Sequence, residues 1–146
     1  MSLTIRLIKA GDKESWQLLF EQYLDFYQTS RPQIIIDTVF ARMISGDSGE
    51  FRGFVAEIDG VIVGFTHFLS HRKMWDIENA LYLQDLFIAL SARGRGAARA
   101  LIEAVYMLAD SEDTPKVYWL TQESNYTAQA LYNRLARRSK FIHYTR

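Results

Sequence analysis

Arg93-Gly94-Arg95-Gly96-Ala97-Ala98-Arg99 combines residue types that can grip an anion. Glycine lets backbone come close to a ligand, the first N–H groups of a helix have no internal partners, and the helix dipole points its positive end outward there. Set between a strand and a helix, such a turn is a phosphate site. Small Ala97 and Ala98 leave it uncrowded, and Arg93, Arg95 and Arg99 can add charge-assisted contacts to a polyphosphate. A bare Gly-x-Gly also occurs in ordinary surface turns, so the flanking elements decide. Two nucleotide alternatives fail on detail. A dinucleotide fingerprint wants a third small residue at position 99, which is Arg. A nucleotide-hydrolase loop needs Gly-Lys-Ser/Thr, which the chain lacks.

Before the turn, Ala80 to Ile88 reads as an apolar strand through Leu81, Leu83, Leu86, Phe87 and Ile88, interrupted by Gln84 and Asp85. Asp85 can accept a proton, directly or through water; Gln84 can position an amine or a water but cannot be a base. The two point to opposite faces unless a bulge intervenes. A buried carboxylate tied to neighbouring backbone or an arginine is the other role open to Asp85. After the turn, Leu101, Ile102, Val105, Leu108 and Ala109 form a helical stripe. Val117 to Leu120 then fits a buried strand parallel to the earlier one, because a helical crossover joins parallel strands. Asn125 caps a further helix to about Leu135, with Ala128, Leu131, Tyr132 and Leu135 on one face. Tyr132 is either a core tyrosine or a phenol that gives up its proton, being protonated at neutral pH.

The rest of the chain must build the scaffold. Residues 3 to 8 alternate as a strand, Asp12 offers an N-cap, and Trp16, Leu19, Phe20, Tyr23, Leu24 and Tyr27 recur at helical spacing. Pro32 suits a first helical turn, followed by the stripe Ile35, Ile36, Val39, Phe40, Met43 and Ile44 up to Gly46. Phe54 to Ile58, Asp59-Gly60 and Val61 to Leu69 read as a hairpin, and Phe141 to Tyr144 as a last strand. The order is that of a single mixed α/β domain over residues 1–146 with one sheet.

Composition narrows the function. The chain has 146 residues, no cysteine, and 17 basic against 17 acidic side chains. Thiol nucleophiles and thiolate-held metals are excluded, and a generic grip on nucleic acid is not indicated. Residues 1–92 carry 8 basic and 12 acidic side chains, residues 93–146 carry 9 and 5, which suits a phosphorylated ligand on one half and a cationic one on the other. His67, His71 and His143 are dispersed, so no metal is expected. No apolar run spans a membrane and no basic leader opens the chain, so a cytoplasmic protein is expected.

Leu81-Tyr82-Leu83-Gln84-Asp85-Leu86-Phe87-Ile88 followed by Arg93-Gly94-Arg95-Gly96-Ala97-Ala98 resembles motif A of the GNAT N-acetyltransferases, Arg/Gln-x-x-Gly-x-Gly/Ala, with Arg93, Gly96 and Ala98 filling it. Asn125-Tyr126-Thr127-Ala128-Gln129-Ala130-Leu131-Tyr132 is similar to motif B, Asn-x-x-Ala-x-x-Leu-Tyr. Met74-Trp75-Asp76, Asp85-Leu86 and Val117-Tyr118-Trp119 look most like the yeast histone and polyamine branch.

The resemblance implies a mostly antiparallel twisted sheet with a central splayed parallel strand pair and about four helices. It also implies acetyl transfer from acetyl-CoA to an amine, without a metal, by direct attack in a ternary complex. The diphosphate would lie on the amides of Arg93 to Ala98, and the pantetheine arm would pair with the edge of Leu86, Phe87 and Ile88 as an added strand. Asn125 would contact that arm and Tyr132 would protonate the departing thiolate. The base position of polyamine relatives corresponds to Gln84, which leaves Asp85 or a water for that role. Tyr27 with Tyr23 and Asp25, and Trp75, Asp76 and Glu78, would form an acidic, aromatic mouth for the amine. Arg134, Arg137, Arg138 and Lys140 would meet the ribose phosphate or solvent. Ala136 stands where the family has Gly, so that helix end is expected to differ. A homodimer is expected. A non-catalytic acetyl-CoA-binding sensor of the same fold is the alternative.

Overall fold

The alternating segment at the start forms β1 (Leu3–Leu7), the first strand of a five-stranded sheet, in a computed structural model that describes residues 1–146. The hairpin follows as β2 (Arg52–Ile58) and β3 (Val61–His71). Its turn places Asp59 at φ 51° and Gly60 at φ 83°, the positive angles a two-residue primed turn requires. β4 (Ala80–Ile88) returns antiparallel to β3, and β5 (Lys116–Tyr118) runs parallel to β4. The sheet order is β1-β2-β3-β4-β5.

Four helices cover it: α1 (Lys13–Phe26), α2 (Gln33–Ile44), α3 (Ala97–Ser111) and α4 (Tyr126–Leu135). On one face, Trp16 and Leu19 of α1 and Ile36, Phe40 and Met43 of α2 bury against Val55, Phe65 and Phe87. On the other, Ile102, Val105 and Ala109 of α3 pack on Phe68, Leu81 and Leu83, joined by Leu131, Tyr132 and Leu135 of α4. Fully burying one such large apolar side chain is worth about 1.5–3 kcal/mol, so the two faces, not local propensity, hold the helices in place. Gly64 lets β3 and β4 approach: a Cβ there would stand 2.8 Å from the Phe87 carbonyl oxygen.

A one-residue irregularity in β4 sets up everything that follows. His67 pairs with Asp85, but Phe68 pairs with Leu83, so Gln84 has no opposite number. Leu81 and Leu83 therefore face α3, whereas Asp85 and Phe87 face α1, because an inserted residue shifts the two-residue alternation.

Three expectations are corrected. Phe141 to Tyr144 forms no strand; Phe141, Ile142 and Tyr144 are exposed, and the Phe141 amide bonds only the Ser139 hydroxyl. The alternation finds neither a sheet edge nor a face to bury, and the parallel pair consequently closes the sheet at one edge instead of lying inside it. Asp12 precedes α1 but does not cap it. Its carboxylate accepts from the two terminal guanidinium nitrogens of Arg6, at 2.8 and 2.9 Å, and from the Lys9 amide at 2.8 Å, since a charged bidentate donor outcompetes a helix amide.

Candidate active site

The segment after β4 makes a short turn at Leu90–Ala92 and then passes through Gly94 at φ 79° and Gly96 at φ 83° into α3. These left-handed angles are why glycine is needed; the space around both is open. Ala97 is buried against Ala56, Ile58 and Leu101, which seats the first turn of α3 on the sheet. The amides of Gly94, Arg95, Gly96, Ala97, Ala98 and Arg99 donate to no acceptor within the protein; the first helical bond is Ala100 N–H to the Gly96 carbonyl. The Arg93 amide is engaged with the Leu90 carbonyl at 3.4 Å, and the Arg93 side chain folds back to the Ile88 carbonyl at 3.1 Å and over the Phe87 ring. Arg93 thus ties the turn to the end of β4. Arg99 pairs with Glu103, while Arg95 is exposed beside the free amides.

β5 pairs with β4 only at Ala80, Leu81 and Tyr82. From Leu83 onward, including Leu86, Phe87 and Ile88, that side of β4 has no strand beside it, and the same strand runs on into the turn that carries the free amides. Unpaired backbone along a strand edge together with a helix N-terminus fits an extended ligand that carries a diphosphate.

Asp85 lies half-buried at the bulge. The Tyr23 hydroxyl donates to its Oδ1 at 2.7 Å, His67 Nδ1 bonds its Oδ2 at 2.8 Å, and the Thr66 hydroxyl holds its backbone carbonyl at 2.7 Å. Behind His67, Trp16 Nε1 donates to His67 Nε2 at 2.9 Å. Burial and the adjacent Asp85 push the Tyr23 phenol far above the ordinary tyrosine range, so it stays a donor. Gln84 is exposed.

Asn125 caps α4, its Oδ1 accepting from the Ala128 amide at 3.3 Å. One helical face then carries Tyr132 onto Trp119, with ring centroids 5.4 Å apart. Burial, and after it Tyr27, raise the Tyr132 phenol above its ordinary value. Tyr27 in turn packs edge-on against Tyr23, centroids 5.2 Å apart. Tyr27, the residue that follows α1, thus stands beside Tyr23 at the carboxylate site. The far end of α4 stops at Ala136 in extended backbone, not in a left-handed glycine cap, and the Tyr106 hydroxyl satisfies the Leu135 carbonyl at 2.9 Å.

Other candidates lie apart. Trp75, Asp76 and Glu78 are exposed on the loop before β4, with Asp76 paired to Lys73, and none of them bonds the Asp85 group. Arg138 reaches Glu123 at 3.8 Å. No three His, Asp or Glu side chains are arranged around a metal site. Sequence reading missed that Trp16, His67 and Tyr23 converge on Asp85; the only signal was two polar residues in mid-strand.

The chain belongs to the acetyltransferase (GNAT) family, whose profile matches residues 14–136, and it is an N-acetyltransferase. Over 145 residues it is 34% identical to the D-amino-acid N-acetyltransferase HPA3 of Saccharomyces cerevisiae, covering 99% of this chain and 90% of that one. An uncharacterized N-acetyltransferase of Bacillus subtilis, YhfO, is 29% identical over 97% of this chain and 95% of its own length. Among solved structures, the fold matches AAC(6')-Iy in complex with a bisubstrate analog, with a TM-score of 0.85 at 22% identity over 100% of this chain and 98% of that one. The family uses acetyl-CoA as acetyl donor.

Proposed function

We propose that this enzyme acetylates the primary amine of a small cationic acceptor, of amino-acid or polyamine type, by direct attack within a ternary complex. The observation that carries this reading is the Asp85 carboxylate, held by Tyr23 and His67 where β4 parts from β5.

Acetyl-CoA brings an activated thioester; the chain supplies the rest. The free amides of Gly94 to Ala98 are suited to its diphosphate, with Arg95 adding charge, and the open edge of Leu86 to Ile88 to its amide-bearing arm. Asn125 would contact that arm. An alkylammonium with a reference pKa near 10.4 must lose a proton before it can attack, which costs roughly 4 kcal/mol at neutral pH. Asp85 attracts the ammonium and accepts that proton, directly or through a water that Gln84 helps place. Tyr132, protonated and half-buried, returns a proton to the sulfur as the carbon–sulfur bond breaks. Tyr27 lines the acceptor side.

The similarity to a D-amino-acid acetyltransferase over nearly the whole chain supports a small acceptor over a protein lysine. Exposed Phe141, Ile142 and Tyr144 support a homodimer as the working form, and a cysteine-free, balanced composition fits the cytoplasm. Thiol release measured with acetyl-CoA across a panel of amino acids, polyamines, aminoglycosides and lysine peptides tests the reading. Turnover confined to small amines, and abolished in Asp85→Asn, is the expected result. Stabilisation by acetyl-CoA, about 2.7 kcal/mol at a hundred times its Kd, with no turnover on any amine would contradict it.

A further inference from the structure

We propose that Trp16 and His67 are positioning residues for this reaction: the Trp16 indole fixes the single proton of the His67 ring on Nδ1, and that proton, with the Tyr23 hydroxyl, locks the Asp85 carboxylate. The inference rests on Asp85 being the proton acceptor.

An indole N–H is a donor only, so His67 Nε2, 2.9 Å from Trp16 Nε1, is an acceptor. A neutral imidazole has one N–H, which is then on Nδ1 and donates to Asp85 Oδ2 at 2.8 Å. Packing and the two partners set the orientation of the ring. It stacks on Phe65 with centroids 4.5 Å apart, meets the edge of Phe20 at 5.9 Å, and is only 6% exposed. Three elements are thus joined in one line: α1 through Trp16, β3 through His67, β4 through Asp85.

The line has a direction. A second proton on Nε2 would face the Trp16 N–H and leave two buried donors with no acceptor between them. His67 therefore does not take over the proton that Asp85 removes; the proton leaves toward solvent, where the Asp85 side chain keeps 20% of its exposure. The titratable groups placed against Asp85 are Tyr23 from α1, His67 from β3 and Tyr82 on β4, with Tyr27 packed behind Tyr23. With both oxygens held, the remaining lone pairs keep one orientation toward the acceptor amine.

The test combines imidazole nitrogen NMR with kinetics on the full-length enzyme. The wild-type spectrum, taken at the pH of the assay, is expected to show His67 as the Nδ1–H tautomer. In Trp16→Phe, which removes the donor to Nε2, the His67 spectrum is expected to show a mixture of tautomers, with kcat lowered and the KM for acetyl-CoA unchanged. His67→Ala should lose about 10- to 100-fold in kcat, the scale of a misplaced catalytic group. His67→Asn, whose amide can still donate to Asp85 but cannot titrate, should recover to within about fivefold of wild type. An Nε2–H tautomer or an imidazolium in the wild type overturns the proposal, and so does His67→Asn as slow as a folded His67→Ala. If the tautomer is as stated but Asp85→Asn turns over normally, the acceptor reading of Asp85 fails, and the network loses its catalytic meaning with it.

Discussion

The Tyr23 hydroxyl reaches from α1 to Asp85 Oδ1 at 2.7 Å, which makes a residue on the first helix part of the carboxylate site on β4. Tyr23→Phe keeps the ring packing on Phe65 and Phe87 and removes one donor to the charged carboxylate. kcat should then fall by about tenfold, because the carboxylate loses one of the two contacts that orient it. Stability should fall by about 1 kcal/mol, measured by denaturant unfolding.

Tyr132→Phe should lower kcat by about 100-fold or more while the KM for acetyl-CoA changes little, the signature of a lost general acid. A general acid works while protonated and fails as pH rises through its pKa. Burial, and after it Tyr27, hold that value above the usual phenol range, so the wild-type enzyme should show no loss of kcat from this group through the neutral and mildly alkaline range. A fall in kcat near neutrality that vanishes in Tyr132→Phe would contradict this.

Gly96→Ala places a side chain at φ 83°, which costs about 1–2 kcal/mol and turns the first amides of α3 out of line. Acetyl-CoA affinity should drop by about tenfold with kcat nearly preserved. Gly96→Asp should weaken it further, because an anion then stands where a diphosphate must lie. Isothermal titration of acetyl-CoA decides both.

Much of this was legible in the sequence, and the misses have physical causes. The hairpin announced itself through Asp59-Gly60, α3 through its stripe, and the anion turn through glycines that the backbone needs at positive φ. The partners of Asp85 could not be read. They depend on the β3–β4 register, which shifts at Gln84, and no local pattern marks a bulge; His67 sits in a run buried on both faces. The sequence marks Tyr23 as an apolar-face residue and as part of an aromatic mouth, but not as a donor to Asp85, because that partner is 62 positions away. Asp12 and Phe141 to Tyr144 carried local signals for a cap and a strand, but Arg6 competed for the first and no sheet edge received the second.

Arg6 holds the Asp12 carboxyl below the usual carboxylate range, mainly through their paired hydrogen bonds. A carboxyl whose folded pKa is depressed contributes stability above its unfolded pKa, near 3.9, and loses it as pH falls through the lower folded value. Asp12→Asn should therefore cost about 1–2 kcal/mol at neutral pH and flatten the acid side of the stability curve. Unfolding free energies at pH 7 and pH 3 give the comparison; an equal cost at both would contradict the ion pair.

The most direct measurement is a crystal structure with coenzyme A and an acceptor amine. Diphosphate oxygens at about 2.7–3.2 Å from the amides of Gly94 to Ala98, sulfur beside the Tyr132 hydroxyl and the amine on Asp85 are the expected result. A diphosphate bound away from α3, or a Tyr132 hydroxyl turned from the sulfur, would contradict it.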